Sequence, residues 1–163
     1  MPEKEKKFNE IESWLLAQGL TIDTKDTSRP WGGFFVIAET AAPLFIDCFF
    51  SSLDKNNILS GKISPKILLV APHKKLSWQY HHRRAELWKL IQGAAAIVRS
   101  HTDQESEAQP MTIGSIVSLK QGERHRLVGV DEWGIVAEIW QHTDPNNPSN
   151  EDDIVRIQDD FGR

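Results

Sequence analysis

Gln79, His81 and Glu86 fall within one short segment of the chain, and His125 falls in another. Imidazole nitrogen, carboxylate oxygen and amide oxygen together form the donor set of a borderline divalent metal, provided the side chains converge on one point. The first segment reads Gln-x-His, then Glu86, then Gly93; the second reads Gly114, Gly122 and His125. A single His followed by a Glu arises readily in a chain with six His. The weight therefore rests on two fragments in order, each with its own glycines.

Convergence of these side chains requires strands. Alternate residues of a strand share a face, so Gln79 and His81 can reach one ion together. Glu86 must then return from the next strand after a short turn, and His125 closes the set from a distant hairpin. The chain supplies such strands. After Pro30, short apolar stretches recur between Gly, Pro, Asn and Asp: Phe34 to Glu39, Leu44 to Ser51, Lys66 to Ala71, Leu87 to Ile91, Ala94 to Arg99, Ser115 to Leu119 and Ile135 to Gln141. This pattern predicts a β-sandwich or barrel, with a double Greek-key jelly roll fitting best. Ahead of it, Phe8, Ile11 and Leu15 form a helical stripe ended by Gly19, which predicts a short helix over residues 8–18 against the outside of the main body. Asp54 to Gly61 and His101 to Pro110 read as surface turns, and Thr143 to Asn150 reads as a flexible lead into the C-terminal segment. No internal repeat is evident.

The two segments resemble the paired motifs of cupins, with Gln79 standing where many cupins have the first His of His-x-His. The string LSWQYHHRRAELW, from Leu76 to Trp88, is similar to the core of type II phosphomannose isomerases, which runs close to LSLQMHHHRAEHW. RPWG, from Arg29, resembles that family's opening motif, and EDDIVRIQDDFGR, from Glu151 to Arg163, resembles its closing one. The resemblance implies an all-β cupin double-stranded β-helix, a jelly-roll barrel, over residues 29–163, with an N-terminal helical extension over residues 1–28. It further implies interconversion of mannose 6-phosphate and fructose 6-phosphate, or a related phosphosugar pair. A cupin that binds a sugar or sugar phosphate without turning it over is the alternative.

The site implied by this resemblance places Gln79, His81, Glu86 and His125 around one divalent ion. Zinc leads on ligand type, with manganese, cobalt, nickel and iron also compatible. Three or four protein ligands leave a position for substrate oxygen, which the metal polarises while a proton moves between adjacent carbons. Arg156 and Arg163 are expected to face the sugar phosphate, since a guanidinium donates paired hydrogen bonds and stays charged; Arg84 and Arg29 are further candidates. Lys66, Glu138 and Arg156 are the expected catalytic groups. Glu138, Lys66 and His82 are the candidate bases in that order, although His82 should point to the face opposite His81. Arg83, Leu87 and Lys120 depart from the family pattern without removing a ligand. The chain carries no Gly-rich phosphate-binding loop, so a standalone cupin without the nucleotidyltransferase domain of many relatives is expected.

Composition narrows the remaining possibilities. The net charge is −4 with both signs interspersed, so no basic tract predicts a nucleic-acid or membrane surface. The single cysteine, Cys48, cannot form an internal disulfide and suits a reducing compartment. The charged start and the absence of long apolar runs predict a cytoplasmic protein. Exposed strand edges favour a homodimer.

Overall fold

The computed structural model describes residues 1–161. Helix α1 (Glu3–Ala17) begins earlier than its apolar stripe predicts. Phe8, Ile11 and Leu15 mark only its buried face, while Glu3 and Glu5 occupy the first turn, where the helix dipole favours negative charge. Gly19, at φ +86°, ends it. Strand β1 (Ile22–Asp26) then pairs antiparallel with β2 (Gly32–Ile37), so the segment before residue 29 contributes a strand as well as a helix.

Helix α2 (Ala42–Phe49) replaces the extended stretch expected over Leu44 to Ser51. Pro43 sits in its first turn, where no N–H bond is needed, and Phe45, Ile46 and Phe49 fall on one buried helical face. Cys48, on this helix, is half-buried, and burial followed by the charge of Asp47 raises its thiol pKa. A single turn, α3 (Lys55–Ile58), stands inside the loop expected over Asp54 to Gly61; the Asp54 carboxylate caps it by accepting from the N–H groups of Asn56 and Asn57.

The remaining strands are β3 (Lys66–Val70), β4 (Trp78–Tyr80), β5 (Arg84–Ser100), β6 (Gln109–Pro110), β7 (Ile116–Leu119), β8 (Arg124–His142) and β9 (Val155–Gln158). Their hydrogen-bonded order is β1-β2-β3-β8-β4-β9, with β5 joining β6, β7 and β8. The stretches Leu87 to Ile91 and Ala94 to Arg99 thus belong to one strand, which bends where its register with β8 shifts around Gly93. Gly93 has φ +74°, and a Cβ there would collide with the carbonyl oxygen of Trp133. Only glycine permits that approach.

Period-two alternation divides the core. Leu68, Val70, Leu90 and Val136 belong to the cluster inside the barrel. Ile67, Leu69, Ile135 and Ala137 belong to the outer cluster, where Phe8, Ile11, Leu15 and Phe45 of the two helices cover them. This is why β3 is buried at every residue and reads as an apolar run from Ile67 to Val70. The result is the cupin barrel, with α1 on its outside as expected. Among the described residues, no helix is long and apolar enough to cross a membrane. The inward row of β3 and β8 does not end in hydrocarbon. Lys66 stands opposite Glu138, which stands opposite Trp88 on β5.

Candidate metal centre and pocket

Three side chains meet inside the barrel. One nitrogen of His81, one of His125 and a carboxylate oxygen of Glu86 all lie within 4.8 Å of one another. β4 delivers His81 at its end, β5 delivers Glu86 after the turn, and β8 delivers His125 directly opposite Gln79. Gly122, at φ +78°, shapes the turn into β8 and donates its N–H to the His81 carbonyl at 3.1 Å. All three side chains of the cluster are 2% exposed.

Both histidines are held by their far nitrogens. His81 Nδ1 lies 2.6 Å from the carbonyl oxygen of Asp153, and His125 Nδ1 lies 2.9 Å from that of Glu123. A carbonyl only accepts, so each Nδ1 carries a proton and each ring turns its Nε2 toward the cluster. Those nitrogens lie 3.7 Å (His81) and 3.1 Å (His125) from Glu86 Oε1. The shorter separation lacks hydrogen-bond alignment, and Glu86 Oε1 is buried without a donor. Burial, reinforced by Arg84 and His125, pushes the His81 pKa down to about 4 against the pull of Glu86, so the ring is neutral near pH 7. Burial alone would raise Glu86, but His81, His125 and Arg84 hold its carboxyl well below the usual range. Two imidazole nitrogens and an orphaned carboxylate oxygen, converging with second contacts that fix their orientation, fit a divalent cation.

Beside this cluster lies a cavity of about 90 Å³. Gln79, Glu86 and His125 line it together with Lys66, Glu138 and Arg156. The Gln79 amide nitrogen is engaged by the carbonyl and hydroxyl of Ser77 at 3.2 and 3.1 Å, leaving its oxygen as the ligating end. Glu138 accepts from two indoles, Trp88 Nε1 at 2.7 Å and Trp140 Nε1 at 2.9 Å. Burial, then the charge of Glu86, pushes its carboxyl up to about 7. Lys66 is buried, with its ammonium 4.2 Å from the Trp140 ring centre, and pairs with Glu151 at the mouth.

Arg29 and Arg84 also line the cavity, but each is already engaged. Arg29 pairs with Asp26 at 3.1 Å. Arg84 is buried and donates to Glu86 Oε2 at 3.1 Å, to Ser149 Oγ at 2.9 Å and to the Asn150 carbonyl at 3.1 Å. His81 itself does not reach the cavity wall. Arg84 Nη2 stands 3.2 Å from its Nε2. His82 is exposed and turned toward Tyr80, away from the cavity, which removes it from the candidate bases. Arg163 lies outside the described residues.

Sequence reasoning missed the segment that closes the cluster. Residues 143–150, expected to be flexible, include Ser149, which is 4% exposed and accepts from Arg84 while its N–H donates to His142 Nδ1. Asp153 accepts from the N–H groups of His82 and Arg83 and from Ser149 Oγ. These partners are more than sixty residues away in sequence, except Ser149, and no local spacing announces them. Asp153 belongs to the closing motif, the one signal that could have singled it out.

The family described as mannose-6-phosphate isomerase C-terminal matches residues 49–159. The xanthan biosynthesis protein XanB of Xanthomonas campestris pv. campestris is 26% identical over 96% of this chain, and the alginate biosynthesis protein AlgA of Pseudomonas aeruginosa is 28% identical over 83% of it. The chain spans only 28% and 22% of those two proteins. In fold, it resembles the capsular polysaccharide assembling protein CapF of Staphylococcus aureus over 85% of this chain and 34% of that one, at 15% identity and a TM-score of 0.54.

Proposed function

The chain belongs to the mannose-6-phosphate isomerase C-terminal family, and from that premise we propose that it interconverts mannose 6-phosphate and fructose 6-phosphate or a closely related phosphosugar pair. The observation that carries the reading is Glu138. It is a buried carboxylate held between two indole N–H groups, with a pKa near the operating range of a base, in the same cavity as Glu86 and His125. Glu138 takes the proton from C2 of the open-chain sugar and returns it at C1. The two indoles stay bonded to its oxygens through the transfer and hold it between the two carbons. Lys66, desolvated over Trp140, faces the oxygen on which charge builds. Arg156, on β9 opposite Gln79, faces the phosphate at the mouth. His81, Glu86, His125 and the Gln79 oxygen would hold a divalent cation, zinc on donor type, which supplies Lewis acidity toward the sugar oxygens when bound.

The test is turnover of mannose 6-phosphate by purified protein supplied in turn with zinc, manganese, cobalt, nickel and iron(II). Solvent deuterium should appear in the product. Tight phosphosugar binding with no turnover under any metal would replace this reading with that of a binding cupin, which the guanidinium lying against His81 Nε2 favours.

A further inference from the structure

Arg84 belongs to no step derived so far, yet it touches more of the site than any other cation. Its Nη2 sits 3.2 Å from His81 Nε2 and its Nε sits 3.1 Å from Glu86 Oε2. Its Nη1 holds Ser149 Oγ and the Asn150 carbonyl, and its plane lies 3.6 Å from the Trp140 ring centre. Since His81 Nδ1 carries the hydrogen that it donates to the Asp153 carbonyl, Nε2 of the neutral ring has one lone pair. That lone pair can accept from Arg84 or bind a cation. It cannot do both.

The residues held by Arg84 form a strap across the cavity. Glu151 follows Asn150 directly and pairs with Lys66, and Asp153 binds the turn after His81. A second pocket of about 310 Å³, lined by Ser149 and Asn150, shares Lys66, Trp140 and Glu151 with the central cavity. The central cavity, at about 90 Å³, lies well below the roughly 300 Å³ at which small-molecule sites begin. As observed, the central cavity is too small to hold a hexose phosphate.

We propose that Arg84 is a positioning residue that reports occupancy of the His81–Glu86–His125 cluster to the strap at residues 149–154. In the observed arrangement its guanidinium caps His81 and clamps Ser149 and Asn150. A dication bound to His81 takes the lone pair and repels the guanidinium at short range. Arg84 then pivots over Trp140, releases the strap and lets the central cavity widen toward the neighbouring pocket. The inference rests on the metal reading of the cluster and adds that metal loading precedes admission of the sugar.

Titration with Co²⁺, followed by its visible absorption, and amide hydrogen exchange across residues 149–154 test this together. Arg84→Met keeps the length and apolar packing of the side chain and removes its charge and donors. It should bind Co²⁺ about tenfold more tightly or better, because a competing cation is gone. The strap should exchange faster in the variant, and Co²⁺ should leave that rate unchanged. In the unmodified protein Co²⁺ should accelerate exchange across the strap, a measurement that needs no variant to fold. Equal or weaker Co²⁺ binding by the variant would reduce Arg84 to an orienter of Glu86, and an indifferent strap in Co²⁺-loaded unmodified protein would break the coupling. Each of those results overturns the inference and leaves the metal site standing. Binding of Co²⁺ by neither protein overturns both. Binding by the variant alone would make Arg84 a standing block on the cluster and not a reporter of its occupancy, and overturns the inference.

Discussion

His81 donates its Nδ1–H to the main-chain carbonyl of Asp153 at 2.6 Å, and the Asp153 carboxylate in turn accepts from the N–H groups of His82 and Arg83. One residue of the C-terminal strap thereby orients a candidate metal ligand and holds the turn after it. Stability and metal binding should share this contact.

Burial would raise the Asp153 carboxyl, but its three donors hold it down to about 2. An aspartate in the unfolded chain titrates at about 4. The folded value is the lower one, so Asp153 contributes fully above about pH 4, and that contribution is lost as pH falls toward about 2. Asp153→Asn should cost about 2 kcal/mol at pH 7, where it weakens charge-assisted hydrogen bonds. Urea unfolding at a series of pH values should show the two proteins converging below about pH 4; parallel curves would exclude Asp153 as the source.

His81→Ala removes one of the three converging donors. Metal affinity should fall by about a hundredfold or more, and isomerase turnover should fall with it. Metal content and rate measured on one preparation provide the comparison. Cys48→Ser, on α2 outside the pocket, should alter neither. Full turnover in metal-free His81→Ala protein would end the Lewis-acid role.

Glu138 should govern the acidic side of the rate profile. Its carboxyl titrates at about 7 without a bound cation, and a cation in the same pocket lowers it, so kcat/KM should rise with pH through a midpoint at or below about 7. Glu138→Gln should lower kcat about 10²- to 10⁴-fold and abolish that limb. Trp88→Phe deletes the indole donor that favours the ionised carboxylate, so its limb should move to higher pH. A limb that persists unchanged in Glu138→Gln belongs to another group.

Arg156 should matter to the phosphate and not to the sugar. A charge-assisted pair contributes about 1.5 to 3 kcal/mol, so Arg156→Ala should weaken mannose 6-phosphate binding by roughly tenfold to over a hundredfold while unphosphorylated mannose is unaffected. Calorimetry with both ligands separates this from general damage, which would weaken both equally.

Sequence alone was sufficient for the barrel and for His81, Glu86 and His125, because both depend on local rules. Alternation along a strand sets which side chains share a face, and glycines such as Gly93 and Gly122, both at positive φ, set where strands bend and turn. Alternation left open whether Lys66 and Glu138 face the interior; the barrel placed both in the wall of the cavity. Tertiary structure decided what was not local. The apolar stretch at residues 44–51 became α2 because the outer face of the sheet needed a cover, and apolar content cannot distinguish a buried helix from a buried strand. Residues 149–153 became a strap because their partners, His81 to Arg84, lie some seventy positions earlier, and only chain closure brings a buried carboxylate to the donors that stabilise it. Arg84 looked like a phosphate ligand in sequence. Packing against Trp140 and Glu86 turned its guanidinium onto His81.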